Sequence, residues 1–276
     1  MNRNETPARD VHTVITQTPW EMRLPAFRVW GNLYFAGNRD GASWLLDTEA
    51  GPVLFDTNYP TTDTLLVHSL WSLGFDPSKI IAVFHTHGHY DHFGATALIT
   101  ALSGAKTYLG EADVKMFRER PELSYLDHAV NAHLELFTAD VAVKDGDVFT
   151  FGNTRIRAVS TPGHCPGATT YFFNVTDGEK EVTAVLHGGA GMNTLEKDYR
   201  EKYGVDWRQD FLAGIDKLNG EEADIFLGNH TSQNGTEQKY SRLLAGEKDA
   251  FIDRDELKRF LDGLREKVIA LIRNDG

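Results

Sequence analysis

His87, His89, Asp91 and His92 fall within six consecutive residues of this chain, inside the segment VFHTHGHYDHFGA at residues 83–95. Imidazole nitrogens and a carboxylate are the ligands that a borderline cation such as zinc prefers. The apolar run at residues 80–84 reads as a short buried strand, so the cluster begins where a strand ends. On a strand-to-helix turn, His87 and His89 can aim at one point while Asp91 and His92 reach a second point close by. A single histidine in a polar loop is more often solvated than ligating, but four such side chains at this spacing argue for a metal. The fold must therefore deliver a strand end, and a tight turn after it, to a place where further ligands converge.

The bulk properties exclude several other function classes. The chain has 276 residues, 41% of them hydrophobic and 25% charged, enough to bury a large core without staples. Its one cysteine, Cys165, permits no intrachain disulfide. A formal charge of −12 repels phosphate backbones, which argues against nucleic acid as the main partner. No apolar run approaches the ~20 residues of a membrane helix, and the N-terminal stretch has no signal-peptide core. The expectation is a soluble cytoplasmic protein, or a periplasmic or secreted one if a leader has been removed.

No repeat or low-complexity linker divides the chain, so residues 1–25 read as an irregular leader and 26–276 as one domain. Strand patterns appear at 27–36, 42–47, 52–56, 80–84, 106–109, 147–151, 154–160, 169–175, 181–187 and 224–227. Helical spacing marks 61–73, 93–102, 111–117 and 207–218, and the remainder of 111–140 reads as a mobile flap. The tail carries the clearest helix, with Leu257, Phe260, Leu261, Leu264, Val268, Leu271 and Ile272 on one stripe and Asp253 and Glu256 at capping-box spacing. Strands followed by strand–helix alternation in both halves predict sheets covered by helices.

The segment 83–95 resembles the His-x-His-x-Asp-His signature of the metallo-β-lactamase superfamily, and the resemblance extends over about residues 26–240. It implies an α/β fold, a four-layer αββα sandwich of two mixed β-sheets flanked by helices. The stretch 27–60, FRVWGNLYFAGNRDGASWLLDTEAGPVLFDTNYP, is similar to the opening hairpins of that fold, with Asp56 at the place of an aspartate that buttresses the metal-binding loop. STPGHCPGATTYFF at 160–173 resembles the third metal motif, in which His164 joins His87 and His89. Its Pro-Gly-His-x-Pro-Gly form is closest to the third subclass of true metallo-β-lactamases, and Cys165 beside the ligand reads as a packing residue. ADIFLGNHTSQNG at 223–235 then supplies His230, which with Asp91 and His92 makes a second set. The resemblance implies two zinc ions per chain, a small-molecule substrate and metal-activated water attacking a cyclic amide or ester carbonyl. It also implies a catalytic role for Asp91, that of orienting this water. Thr231, Ser232, Gln233 and Asn234 read either as a pocket lining or as a plain polar loop.

The pattern departs from relatives in three places. Thioesterases, lactonases and tRNA-processing nucleases of the superfamily put a metal-bridging aspartate after the strand that here reads EVTAVLHGGAGMN, where this chain has His187-Gly188-Gly189. The third lactamase subclass usually has Asp-Ser there, and Gly189 lacks the hydroxyl that holds an antibiotic carboxylate, leaving Asn193 or Thr194 to substitute. His85, two residues before the first ligand, is expected to support the site and not to be a third metal contact. A β-lactamase is the leading reading and a lactonase or thioesterase the next. A diiron oxidoreductase is disfavoured, since that branch typically carries a glutamate at the place of His89 and a bridging carboxylate at that of Gly188.

Overall fold

The computed structural model describes residues 9–275. The chain opens with α1 (Val11–Gln17), whose N-terminus is capped by the Asp10 carboxylate accepting from Thr13 N–H at 2.9 Å, and a 3-10 turn at Pro19–Met22. The expected irregular leader is thus corrected over its described part, because Asp10 caps a helix whose Ile15 buries with Met22 and Tyr59. Residues 1–8 of that leader lie outside the described residues.

Two sheets follow. The first has seven strands in the order β1 (Phe27–Trp30), β2 (Leu33–Phe35), β3 (Trp44–Thr48), β4 (Gly51–Phe55), β5 (Ala82–Phe84), β6 (Lys106–Gly110) and β7 (Val141–Val143). Neighbours are antiparallel up to β4 and parallel from β4 to β7. Helices α2 (Asp63–Ser72), α3 (Tyr90–Phe93), α4 (Thr96–Ser103) and α5 (Glu111–Glu119) lie between its later strands. The second sheet runs β8 (Val148–Phe151), β9 (Thr154–Ser160), β10 (Thr169–Thr176) and β11 (Glu181–Leu186) antiparallel. It ends with β12 (Ile225–Leu227) parallel to β11. Helices α6 (Lys197–Tyr203), α7 (Arg208–Leu218), α8 (Thr236–Leu244) and α9 (Glu256–Asn274) complete the chain.

Period-two alternation explains the layering, because successive strand residues face opposite sides of a sheet. Trp44, Leu46, Val53, Phe55, Ala82 and Phe84 meet Ile156, Tyr171, Phe173, Ala184 and Leu227 in one core between the sheets. The intervening residues point outward. Leu45, Leu54 and Val83 pack with Leu66, Leu70 and Ile99 of α2 and α4, while Phe172, Val185 and Phe226 pack with α7 and α9. Both faces of the central strands are covered, which gives the four-layer αββα order.

Several expected boundaries shift for local reasons. The run 27–36 is a hairpin, not one strand, because Gly31 turns at φ +51° against the carbonyl of Thr176 and leaves no room for a side chain. The strand at 141–143 has only three residues, too few to show alternation, and the helices α6 and α8 are short with few apolar residues, so the spacing does not mark them. The capping box at the tail does not form. Glu256 turns away to the nearly buried ammonium of Lys239, and Asp253 instead accepts from the Asp255 backbone and pairs with Arg259. The stripe itself is as expected, with Leu257, Leu261, Leu264 and Val268 buried against the second sheet. Placing an unpaired charge in that seam should cost about 3 kcal/mol or more. Val268→Asp is therefore expected to lower the thermal midpoint by ~6–10 °C in calorimetry. An unchanged midpoint would mean that α9 contributes nothing to the core.

Candidate metal centre

The expected site residues gather at one edge of the sandwich, where strand ends from both sheets open toward each other. Asp56 follows β4, the 85–92 loop follows β5, His164 sits in the turn between β9 and β10, and His230 follows β12. Backbone bonds stitch these loops across the sheets: Thr169 N–H donates to Thr86 O at 2.8 Å, and Ala42 N–H to Asn229 O at 2.9 Å. Ligand sites at the carboxyl ends of strands are the general rule for sheets with parallel pairs.

Two clusters form. His87, His89 and His164 offer ring nitrogens that lie within 4.8 Å of one another, and so do the ligand atoms of Asp91, His92 and His230. The clusters adjoin, with the His87 and His92 ring centres 4.1 Å apart. Most of these rings are fixed in rotation by a bond from the nitrogen that faces away from the cluster, the arrangement that metal-binding histidines ordinarily show. His87 Nδ1 donates to Gly188 O at 2.9 Å and His164 Nδ1 to Gly191 O at 2.8 Å. His92 Nδ1 donates to Asp56 at 2.9 Å and His230 Nδ1 to Asp40 at 3.1 Å. In each case Nε2 is left to face inward. His89 is the exception: its Nδ1 lies 3.0 Å from His164 Nε2.

The residues fit a metal by a direct test. Buried polar atoms almost always have a partner, yet the Nε2 atoms of His87 and His92, which face inward, are buried without a hydrogen bond, while His89 meets its cluster through Nδ1. Burial, then the neighbouring imidazoles, hold His87 and His89 well below the usual range, and burial puts His164 at about 4. All three rings are therefore neutral and present lone pairs. Burial also presses on His92 and His230, but Asp91, with Asp56 at the first and Asp40 at the second, outweighs it and lifts them to about 9 and about 10. Burial acts to raise Asp91, while His92 and His230 keep it well below the ordinary carboxylate range. The second cluster thus strongly favours positive charge among its members.

Asp56 does what its sequence position implied. It adopts a left-handed φ of 54°, and its carboxylate accepts from Thr86 N–H (2.7 Å), the Thr86 hydroxyl (2.7 Å) and His92. His85 makes no approach to a metal cluster. Its ring lies buried between Tyr108 O and the Thr96 hydroxyl, beneath the loop, and burial lowers it to about 4. Cys165 is buried and hydrogen-bonded to Asp113. The 231–234 quartet divides. Thr231 and Asn234 are structural, bonded to Arg39 O and Phe226 O, whereas Ser232 and Gln233 line the cleft above the clusters. Of the two proposed substitutes for the missing hydroxyl, Asn193 lines the cleft, and Thr194 is fully buried away from it.

Other contributors have no local signature. Asp40, on the loop between β2 and β3, orients His230 and accepts from the Tyr59 hydroxyl. Tyr125, held at φ 58°, lies 4.9 Å from the His89 ring and takes a hydrogen bond from Asn193 Nδ2 at 3.0 Å. With His128 it makes one wall of a cleft of about 600 Å³ whose other walls include Met192, Phe260, Leu264 and Lys267. The departure at 188–191 also has a steric reason. A Cβ on Gly189 or Gly191 would come within 2.8 or 2.6 Å of the His164 ring, so the strand lies flat against that imidazole.

Comparison with known proteins agrees with this fold. The native FEZ-1 metallo-beta-lactamase of Legionella gormanii superposes at a TM-score of 0.82 and 27% identity, over 91% of this chain and 96% of that one. BJP-1, a subclass B3 metallo-beta-lactamase of Bradyrhizobium japonicum, gives 0.81 and 25%, over 94% and 97%. Among curated relatives, the probable polyketide biosynthesis zinc-dependent hydrolase PksB of Bacillus subtilis is 30% identical over 99 residues, 35% of this chain and 36% of that protein. The N-acyl homoserine lactonase of Bacillus thuringiensis is 23% identical over 154 residues, 47% of this chain and 56% of that protein. The matches span from about a third to just over half the length of these curated relatives. The family model of the metallo-beta-lactamase superfamily matches residues 36–177, half of the chain, and with the fold and the histidine loops in place this chain belongs to that superfamily and is structurally similar to its subclass B3.

Proposed function

We propose that the chain is a binuclear zinc hydrolase acting on a small molecule through a cyclic amide or ester bond, with β-lactam hydrolysis as the leading activity. His87, His89 and His164 would hold one ion, and Asp91, His92 and His230 the other. The observation that carries the reading is the buried, unpartnered Nε2 of His87 and of His92, one in each of two adjoining clusters at the floor of one cleft. When bound, zinc supplies Lewis acidity toward a carbonyl oxygen and a water acidic enough to ionise near neutral pH.

The chain's own residues do the rest. Asp91 stays ionised and is the acceptor at the centre of the second cluster, able to orient a water. Met192, Phe260 and Leu264 give the cleft an apolar side that positions substrate and limits water. Asn193 donates to the Tyr125 oxygen, which leaves the phenolic O–H free to donate toward bound substrate. Lys267 is the only lysine or arginine lining the cleft among the described residues and offers an anchor for a substrate carboxylate. Lactone hydrolysis is a second reading, supported by the lactonase relatives; the lack of a carboxylate in the His187-Gly188-Gly189 segment weighs against it.

Zinc titration of the protein, followed by elemental analysis, should approach two ions per chain, and saturation at one would remove the binuclear claim. His164→Ala should abolish turnover. His230→Ala should retain the first ion and part of the activity, and Asp40→Asn should weaken the second ion by ~10–100-fold. Equal loss of both ions from the two histidine variants would contradict the separate sites.

The substrate assignment is tested by a chromogenic cephalosporin, a lactone and a thioester assayed side by side. The hydroxyl absent at Gly189 removes a contact to a charged group that is ordinarily worth about 1.5–3 kcal/mol, or one to two orders of magnitude in kcat/KM. Slow cephalosporin turnover is expected, blocked by a chelator, restored by zinc and reduced further in Lys267→Ala. Rapid turnover of the lactone or thioester with the cephalosporin left intact would reassign the substrate class.

A further inference from the structure

We infer that Asp113 is a positioning residue for the first cluster, a buried carboxylate that draws together the two loops carrying His87, His89 and His164. The inference rests on the metal reading above. Asp113 lies in the first turn of α5 and is fully buried. Its Oδ2 accepts from the N–H of Gly88, the residue between His87 and His89, at 2.7 Å. Its Oδ1 accepts from Gly167 N–H at 2.6 Å and from the Cys165 thiol at 3.1 Å, beside His164. One side chain therefore grips both loops within a residue or three of every histidine in the set.

The packing around it shows how tightly this grip is built. A Cβ on Gly167 would come within 2.4 Å of Asp113 N, and one on Gly110 within 2.0 Å of Gly167 O. A Cβ on Gly88 would meet the Phe117 ring at 2.7 Å. The loops lie flush on the start of α5, at a distance that glycine alone permits. His89 depends most on this arrangement. His87 and His164 are steered by carbonyls, but His89 has neither carbonyl nor carboxylate partner on its ring among the described residues, so its place is set by the backbone at Gly88.

Charge separates this role from simple packing. Asp113 forms no ion pair among the described residues, and its three partners are neutral donors. Burial pushes its carboxyl up to about 6. A buried carboxylate without a counter-charge is costly, and here both of its oxygens are engaged by donors from the two loops. A cation held by the three imidazoles would bring positive charge to the loops that Asp113 grips.

The test uses the full chain in two single-cluster backgrounds, His230→Ala, which keeps the first cluster, and His164→Ala, which keeps the second. Zinc affinity is read by competition with a chromogenic chelator, with and without Asp113→Asn, beside the melting temperature of the metal-free proteins. Supporting ligands of this kind are worth ~10–100-fold in metal affinity. That loss is expected in the His230→Ala background, with less than ~3-fold change in the His164→Ala background and a fall in metal-free melting that is the same in both, since the asparagine amide leaves one buried N–H unpaired. Unchanged first-cluster affinity, or an equal loss in both backgrounds, overturns the inference. If Asp113→Asn does not fold, Cys165→Ala removes one donor of the three and should cost ~3–10-fold in the first cluster alone, the worth of one hydrogen bond; no loss there overturns the inference too. Absence of zinc binding in both parents overturns the metal reading and this inference with it, a result distinct from parents that bind and variants that bind equally well.

Discussion

The carboxylate of Asp56 accepts three hydrogen bonds from the loop after β5, through the Thr86 amide, the Thr86 hydroxyl and His92 Nδ1, and the rest of the centre depends on it. Hydrogen bonds in a buried network of this kind act together, enough to fix the loop conformation. The strand behind supplies the anchor: Val53 and Phe55 are buried in the inter-sheet core and Asp56 N–H donates to Phe84 O. Packing of the two sheets thus reaches the site through a short rigid path. The left-handed φ of 54° at Asp56 is a backbone cost, of the kind that persists only where surrounding contacts over-determine it.

What the sequence made legible follows from how local each signal is. His87, His89, Asp91 and His92 share one turn, so their spacing reports their geometry directly. His164 is marked by the flanking prolines and glycines of its turn, and His230 by the strand that ends at Leu227. The residues that orient those ligands are not local. Asp40 meets His230 across 190 positions, and Asp113 meets Gly167 across 54. An isolated Asp in a loop or a helix carries no mark of such a contact, and the capping box expected at Asp253 and Glu256 shows the reverse case. There a local pattern lost to a tertiary partner, because Lys239 is nearly buried and a carboxylate in reach relieves it.

The glycines at 188–191 show how a departure from a family pattern becomes intelligible only in three dimensions. In sequence, His187-Gly188-Gly189 is a carboxylate that is missing. In the structure, Gly188 supplies the carbonyl that fixes His87 and is also approached by Asn229 Nδ2 at 3.3 Å, while Gly189 and Gly191 let the chain lie on the His164 ring. The segment supports the first cluster by backbone alone. His187 is buried behind it, accepting from Gly189 N–H at 3.2 Å with its ring 5.2 Å from that of Phe260, so it buttresses the glycines from the α9 side.

The two clusters differ in what stands behind their histidines, and that difference gives them different chemistry on the proposed reading. His87 and His164 lean on carbonyls, which orient a ring but add little negative charge. His92 and His230 lean on Asp56 and Asp40, and carboxylates behind a ligating imidazole raise its basicity. An ion among three neutral imidazoles would keep most of its positive charge and so its power to polarise a carbonyl. An ion beside Asp91, with two further carboxylates one ring away, would be largely neutralised and better suited to holding a group in place. The division of labour is thus written in the partners of the ligands more than in the ligands themselves, and those partners come from the strand ends and loops of the first sheet at one cluster and from the glycine segment after β11 at the other.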